Sequence, residues 1–118
     1  MVLADTSVWI EHFRRGQAGL AKFLSEGTVL MHPFVVGELS CGNLHDRAAV
    51  FSNLNALPFA KLASHSEVMQ LMEAARKLYG LGLGWIDAHL LASALLSNCL
   101  LWTFDKRLSK VATTLNLT

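Results

Sequence analysis

Cysteine is nearly missing from this chain: Cys41 and Cys99 stand apart, with no CxxC spacing and no histidine pair nearby. Neither a disulfide framework nor a zinc site is expected, and both residues read as buried thiols. An excess of either charge is missing too. Ten Lys and Arg against nine Asp and Glu leave a net charge of +1. Nothing draws the whole molecule to nucleic acid, so any such contact must come from local clusters. Only 16% of residues are charged, which argues against a disordered chain. No Asn-Gly or Asp-Gly turn joins two alternating runs, and that absence disfavours hairpins. No repeat, low-complexity tract or domain linker is visible. The most apolar later region, residues 88–102, is interrupted by His89, Ser93, Ser97 and Asn98, so it reads as a helix followed by a strand and not as a membrane span. At the N-terminus Met1-Val2-Leu3-Ala4 reaches Asp5 too early for a secretion signal, and a cytoplasmic protein is expected.

What is present is apolar. The 118 residues are 53% hydrophobic, with a mean hydropathy of +0.38. One domain, residues 1–118, is expected, burying roughly two-thirds of the surface of the unfolded chain. The apolar excess has two explanations, a surface that meets a partner or a sheet covered on both faces.

Val2-Leu3-Ala4 is a short strand, and Val8, Trp9, His12 and Phe13 then recur at helical spacing until Gly16. Leu20, Phe23 and Leu24 mark a second helix closed by Gly27, and residues 28–31 a second strand. Pro33 suits the first turn of a third helix that stops near Gly42. A fourth helix is expected over 46–54 and a short strand over 57–62, interrupted by Pro58. Ser64-His65-Ser66-Glu67 offers capping residues for an amphipathic helix running to Gly80. Glycines 80, 82 and 84 form a loop, a helix follows from Trp85 to about Ser97, a buried strand occupies 99–104, and a last helix occupies 106–115. Strands alternating with helices predict an α/β fold: a three-layer α/β/α arrangement around a mostly parallel sheet with right-handed connections.

Three of the four aspartates sit where an apolar run ends or a helix begins: Asp5, Asp87 and Asp105. For Asp5 and Asp105 an ordinary helix cap is a sufficient local explanation. Both also fall at carboxyl ends of strands, where parallel sheets place their ligands. Glu38 shares a helical face with Phe34 and Val35, and Asp87 with Leu90, Leu91 and Ala94. An acid in apolar company takes up a proton or finds a cation. Arg76 and Lys77 are available in the sequence, without anything to place them nearby. Two carboxylates about 4 Å apart repel by roughly 4 kcal/mol at an effective dielectric of about 20. Four that converge would oppose folding unless a divalent cation joined them, and oxygen ligands suit Mg²⁺ or Mn²⁺ better than zinc.

Asp5-Thr6-Ser7 after the first strand, Glu38-Leu39 in the third helix, Trp85-Ile86-Asp87-Ala88-His89-Leu90-Leu91-Ala92-Ser93-Ala94, and Thr103-Phe104-Asp105-Lys106-Arg107-Leu108 together resemble the PIN-domain nucleases. Within that family the chain resembles the VapC toxins of type II toxin–antitoxin modules. The likeness spans residues 2–108. It implies a PIN-like, Rossmann-like topology and a Mg²⁺- or Mn²⁺-dependent endoribonuclease with Asp5, Glu38, Asp87 and Asp105 as catalytic and metal-holding acids. Thr6, Ser7 and Thr103 match hydroxyls that orient carboxylates or water. The implied reaction is hydrolysis of RNA phosphodiester bonds by a metal-activated water. The resemblance further implies a cognate VapB-like antitoxin that blocks the pocket, and a homodimer is expected alongside it.

Arg14, Lys106 and Arg107 are the candidates for phosphate contacts, although Arg14 and Arg15 also suit a helix C-terminus. None of the five histidines is expected in the chemistry, and His89, two positions from Asp87, should face elsewhere on its helix. Trp9, Trp85 and Trp102 could stack bases, yet at apolar positions they fit a core. Among rivals, a phosphatase with an aspartate nucleophile expects an acid two residues on, where this chain has Ser7. A catalytically inactive PIN-like or receiver-like protein-binding domain is the other alternative. A receiver needs paired acids near the N-terminus, and the acid following Asp5 is Glu11.

Overall fold

Val2, Leu3 and Ala4 form β1 (Val2–Ala4), buried at every position, in a computed structural model that describes residues 1–75 and 80–118. A strand with no exposed position has to be covered on both faces and paired on both edges. β2 (Val29–Leu30) and β3 (Leu100–Trp102) flank it in the order β2-β1-β3, both parallel to it. Val2 lies opposite Val29 and Leu100, Leu3 opposite Leu30 and Leu101, and Ala4 opposite Trp102. Parallel neighbours cannot be joined by tight turns, so helices supply the crossovers. α1 (Thr6–Arg15) and α2 (Ala18–Ser25) lead from β1 to β2. Between β2 and β3 come α3 (Pro33–Ser40), α4 (Arg47–Asn55), α5 (His65–Ala74) and α6 (Trp85–Ser97), and α7 (Lys106–Thr114) follows β3. This is the expected three-layer α/β/α arrangement, wholly parallel among the described strands.

Local sequence explains most boundaries. Asp5 caps α1 and Gly16, at φ 77°, ends it. The capping box before α5 is formed: Glu67 N–H donates to Ser64 Oγ at 3.1 Å, and Ser64 N–H donates to Glu67 Oε1 at 2.9 Å. Asn98, at φ 51°, takes the left-handed conformation that closes α6. α6 is buried continuously from Ala88 to Ala94, which makes it a core helix against β3. Leu3, Val8, Leu20, Met31, Leu90, Leu91 and Leu108 are the fully buried anchors.

Five expectations change. The strand over 57–62 does not form; Phe59 makes one parallel bridge to Met31. Met31 N–H donates to Pro58 O and Ala60 N–H to Met31 O, each at 2.8 Å, and the ladder goes no further because Pro58 has no N–H to give. α5 ends at Ala74, and residues 76–79 of the expected longer helix lie outside the described residues. β3 stops at Trp102, not at Phe104. Cys41 is exposed at the end of α3, and only Cys99 is buried. Of the tryptophans, Trp9 is core and Trp102 half-buried, whereas Trp85 is 43% exposed.

His32 ties two helices together. It is 2% exposed, its Nδ1 accepts the Phe34 N–H at 3.0 Å as the cap of α3, and its Nε2 lies 3.1 Å from Ser93 Oγ on α6. Because Nδ1 accepts, the proton sits on Nε2 and is donated to Ser93. Burial, and then the charge of His89, pushes the His32 pKa down from 6.5 to about 4. The unfolded chain therefore binds this proton more readily, and stability falls as pH drops from 6.5 to about 4. The loss is about 3 kcal/mol at most, at about 1.4 kcal/mol per unit. His32→Asn keeps a capping acceptor without the titration. Urea denaturation across that window should show a shallower pH slope for His32→Asn than for wild type; equal slopes would contradict the assignment.

Candidate active site

The register of β1 on β3 fixes where the chain leaves the sheet. With Ala4 beside Trp102, the next residues of both strands emerge at one edge, and Asp5 N–H donates to Trp102 O at 2.9 Å. Thr103, not Asp105, therefore meets Asp5 at the strand ends. Asp5 is 6% exposed. Its Oδ1 accepts from Ser7 Oγ at 2.5 Å and from Val8 N–H at 3.3 Å, and its Oδ2 accepts from the Thr103 hydroxyl. Thr103 Oγ1 in turn accepts Asp105 N–H at 3.0 Å, and Ser7 Oγ accepts Phe104 N–H at 2.9 Å. Two side-chain hydroxyls thus lock the turn after β3 onto the turn after β1.

The other acids are held by the elements they begin or ride on. Thr6 Oγ1, on the first turn of α1, donates to Glu38 Oε1 at 2.6 Å across to α3. Asp105 Oδ1 caps α7, accepting Arg107 N–H at 2.9 Å and Leu108 N–H at 3.0 Å. Asp87 Oδ2 reaches back to Gly84 N–H at 3.2 Å at the start of α6. The capping role of Asp5 and Asp105 is therefore real, and Asp87 has a comparable one. It does not use up these groups: Asp87 Oδ1, Asp105 Oδ2 and Glu38 Oε2 have no hydrogen-bond partner among the described residues.

Burial and charge both act on Asp87. Burial pushes the Asp87 carboxyl above the usual carboxylate range, the negative charges of Asp105, Asp5 and Glu38 push the same way, and the Gly84 N–H pulls against them. Asp87, at the start of α6, thus feels acids from the ends of β1 and β3 and from α3. Among the described residues the ion pair present is Arg15 with Glu11, at 3.7 Å on the surface of α1. Arg76 and Lys77, the basic partners the sequence offered, lie outside the described residues. Among the described residues no three His, Cys, Asp or Glu side chains are already drawn together to hold one ion. The donor set is all oxygen, which fits a hard divalent cation such as Mg²⁺ or Mn²⁺. Glu38 itself is exposed, so its apolar neighbours on α3 do not bury it as its sequence setting suggested.

The basic candidates flank the acids on two sides. Arg14 is exposed and lines a cavity of about 340 Å³ together with Ile10, Phe13, Glu38, Asn43 and His45. Lys106 and Arg107 are exposed on the first turn of α7. The Arg107 guanidinium packs on Gly82, where an added Cβ would stand 2.5 Å from Nη1 and the backbone has φ 77°. A larger hollow of about 530 Å³, beside Met1, Phe23, Leu100 and Trp102, includes none of the four acids.

Sequence reasoning passed over an aromatic group next to the acids. His89 is 8% exposed and packs edge-on against Phe34 at 4.8 Å and against Trp85 at 4.7 Å, while His65 lies 5.1 Å from Trp85. His89 shares its helix face with Trp85, one turn before it, and not with Asp87. The spacing of Trp85 and His89 was the available signal.

The parallel α/β fold, with the turns that carry Asp5 and Asp105 locked together at the strand ends and Glu38 and Asp87 on two helices that touch, defines a class, and the chain belongs to the PIN domain family, whose profile matches residues 2–113. It is similar to Ribonuclease VapC32 of Mycobacterium tuberculosis, in strain CDC 1551 / Oshkosh and in strain ATCC 25618 / H37Rv alike. The identity is 44% over 109 residues, covering 92% of this chain and 87% of the relative.

Thr103 offers a direct check on the hydroxyl network. Thr103→Val keeps the shape but leaves Asp5 short of a donor and Asp105 N–H short of an acceptor. It is expected to cost about 1–3 kcal/mol of stability and to lower any metal-dependent activity about 10- to 100-fold, whereas Thr103→Ser should retain most of both. Equal behaviour of the two variants in denaturation and activity assays would contradict the role.

Proposed function

We propose that this protein is a Mg²⁺- or Mn²⁺-dependent endoribonuclease and the toxin of a type II toxin–antitoxin module. The observation that carries the reading is the locked edge of the sheet, where Asp5 accepts from the hydroxyls of Ser7 and Thr103, and Thr103 in turn accepts from the backbone of Asp105. Family membership and the similarity to Ribonuclease VapC32 support the same reading.

Asp5, Glu38, Asp87 and Asp105 are the residues that would hold the cation. When bound, it would supply Lewis acidity for water attack on the phosphorus and counter-charge for the leaving oxygen. The chain does the positioning. Ser7 and Thr103 fix both oxygens of Asp5, and Thr6 fixes Glu38. Asp105 and Asp87 are set by the first turns of α7 and α6. These helix starts also place partial positive charge at the site, which favours an anionic phosphate once the carboxylates are offset. Lys106 and Arg107 on one flank and Arg14 on the other give the RNA backbone its cationic contacts.

A nuclease of this kind needs restraint in its host, so a VapB-like antitoxin is the proposed partner, with a homodimer as the assembly and the cytoplasm as the compartment. No described helix is long and apolar enough to cross a membrane.

Cleavage of RNA by purified protein with Mg²⁺ or Mn²⁺ tests the reading. Asp5→Asn and Asp87→Asn are each expected to lower the rate by at least about 100-fold, given the several kcal/mol that such a cation contributes to the transition state. Wild-type rates in both variants would contradict the metal site.

A further inference from the structure

The aromatic group beside the acids is not used by the mechanism above. Phe34 lies one helical turn before Glu38 on α3, and Trp85 lies two residues before Asp87 on α6. Both rings are open to solvent, Phe34 at 37% and Trp85 at 43%. Buried His89 touches both edge-on and props them from below. Phe34, Gly37, Glu38, Trp85 and Ile86 line one shallow, almost entirely apolar depression of about 350 Å³. Nothing within 4 Å would meet a Cβ added at Gly37, so its floor is open. Large exposed rings are costly to leave in water, and rings fixed by a buried support make a prepared platform.

We infer that the Phe34–Trp85 depression is a stacking site for one unpaired base of the RNA next to the cleaved phosphate. The inference rests on the ribonuclease reading and deepens it. Two features favour a base over other occupants. The depression shares Glu38 with the acid group, so it adjoins the place where a backbone held by the acids would lie. A second copy docked here about a two-fold axis would set one group of uncompensated acids against another. Single-stranded RNA is read largely by stacking on aromatic faces, and stacking alone tolerates any base. With scarcely a polar group in its lining, the depression selects for an unstacked nucleotide and not for a sequence.

The test uses a single-stranded RNA that wild type cleaves with Mn²⁺, in which each base in turn is replaced by an abasic site. In wild type one position beside the cut should lower kcat/KM roughly 5- to 100-fold, and in Trp85→Ala or Phe34→Ala that penalty should shrink to less than about twofold. Trp85→Phe should restore it. Gly37→Leu, which fills the depression from an unstrained helical position, should raise KM for intact RNA and remove the same penalty. Wild-type cleavage with equal penalties in every variant would overturn the stacking site and leave the nuclease intact. Absence of wild-type cleavage on any RNA would overturn both. A drop in sedimenting mass for Trp85→Ala would make the depression a contact between copies and overturn the stacking site.

Discussion

The partly buried carboxylate of Asp87 is the constraint that the surrounding turns and helix starts answer to. Burial raises its proton affinity, and Asp105, Asp5 and Glu38 add to the same direction. In the absence of a cation each added negative charge costs folding free energy. That cost is absent while Asp87 is protonated at low pH and grows as pH rises through its elevated pKa. The fold offsets part of it locally. Each aspartate of the group sits in the first turn or at the cap of a helix and accepts backbone N–H groups there, where the helix end favours negative charge. The hydroxyls of Ser7, Thr103 and Thr6 add further donors.

Keeping these turns and helix starts in place requires a stiff frame. The parallel register of β1 with β3 supplies one part, setting the turns that carry Asp5 and Thr103 side by side. The buried His32–Ser93 contact supplies another, fixing α3 to α6 and so Glu38 relative to Asp87. α6 contributes rigidity through continuous burial from Ala88 to Ala94. Stability invested in frame and core is thereby spent at one edge of the sheet, the usual relation between a scaffold and its site.

Much of this was legible in the residues. Strand and helix alternation gave the α/β layers because apolar runs such as Val2-Leu3-Ala4 have no exposed face to hide, and caps such as Asp5 and Ser64 act within a few residues. The order of the four acids and their hydroxyl neighbours was readable for the same reason. What escaped depended on contacts distant in sequence. Whether residues 57–62 pair as a strand was decided by a missing N–H at Pro58 and by a partner at Met31. Exposure of Cys41 and Glu38 followed from which face of α3 meets the core. Packing of His89 between Phe34 and Trp85 joins two helices about fifty residues apart in the chain, and helical spacing on α6 alone showed only half of it.

The central claim is that these acids oppose folding until a divalent cation joins them, and comparing the stability of wild type and Asp87→Asn with and without Mn²⁺ tests it most directly. Asn keeps an acceptor for the Gly84 N–H while removing the charge. In chelator at neutral pH, Asp87→Asn should be the more stable protein by about 0.5–2 kcal/mol, and Mn²⁺ should stabilise wild type more than the variant, closing or reversing that gap. A variant that is less stable in chelator, with Mn²⁺ shifting both proteins equally, would contradict the account.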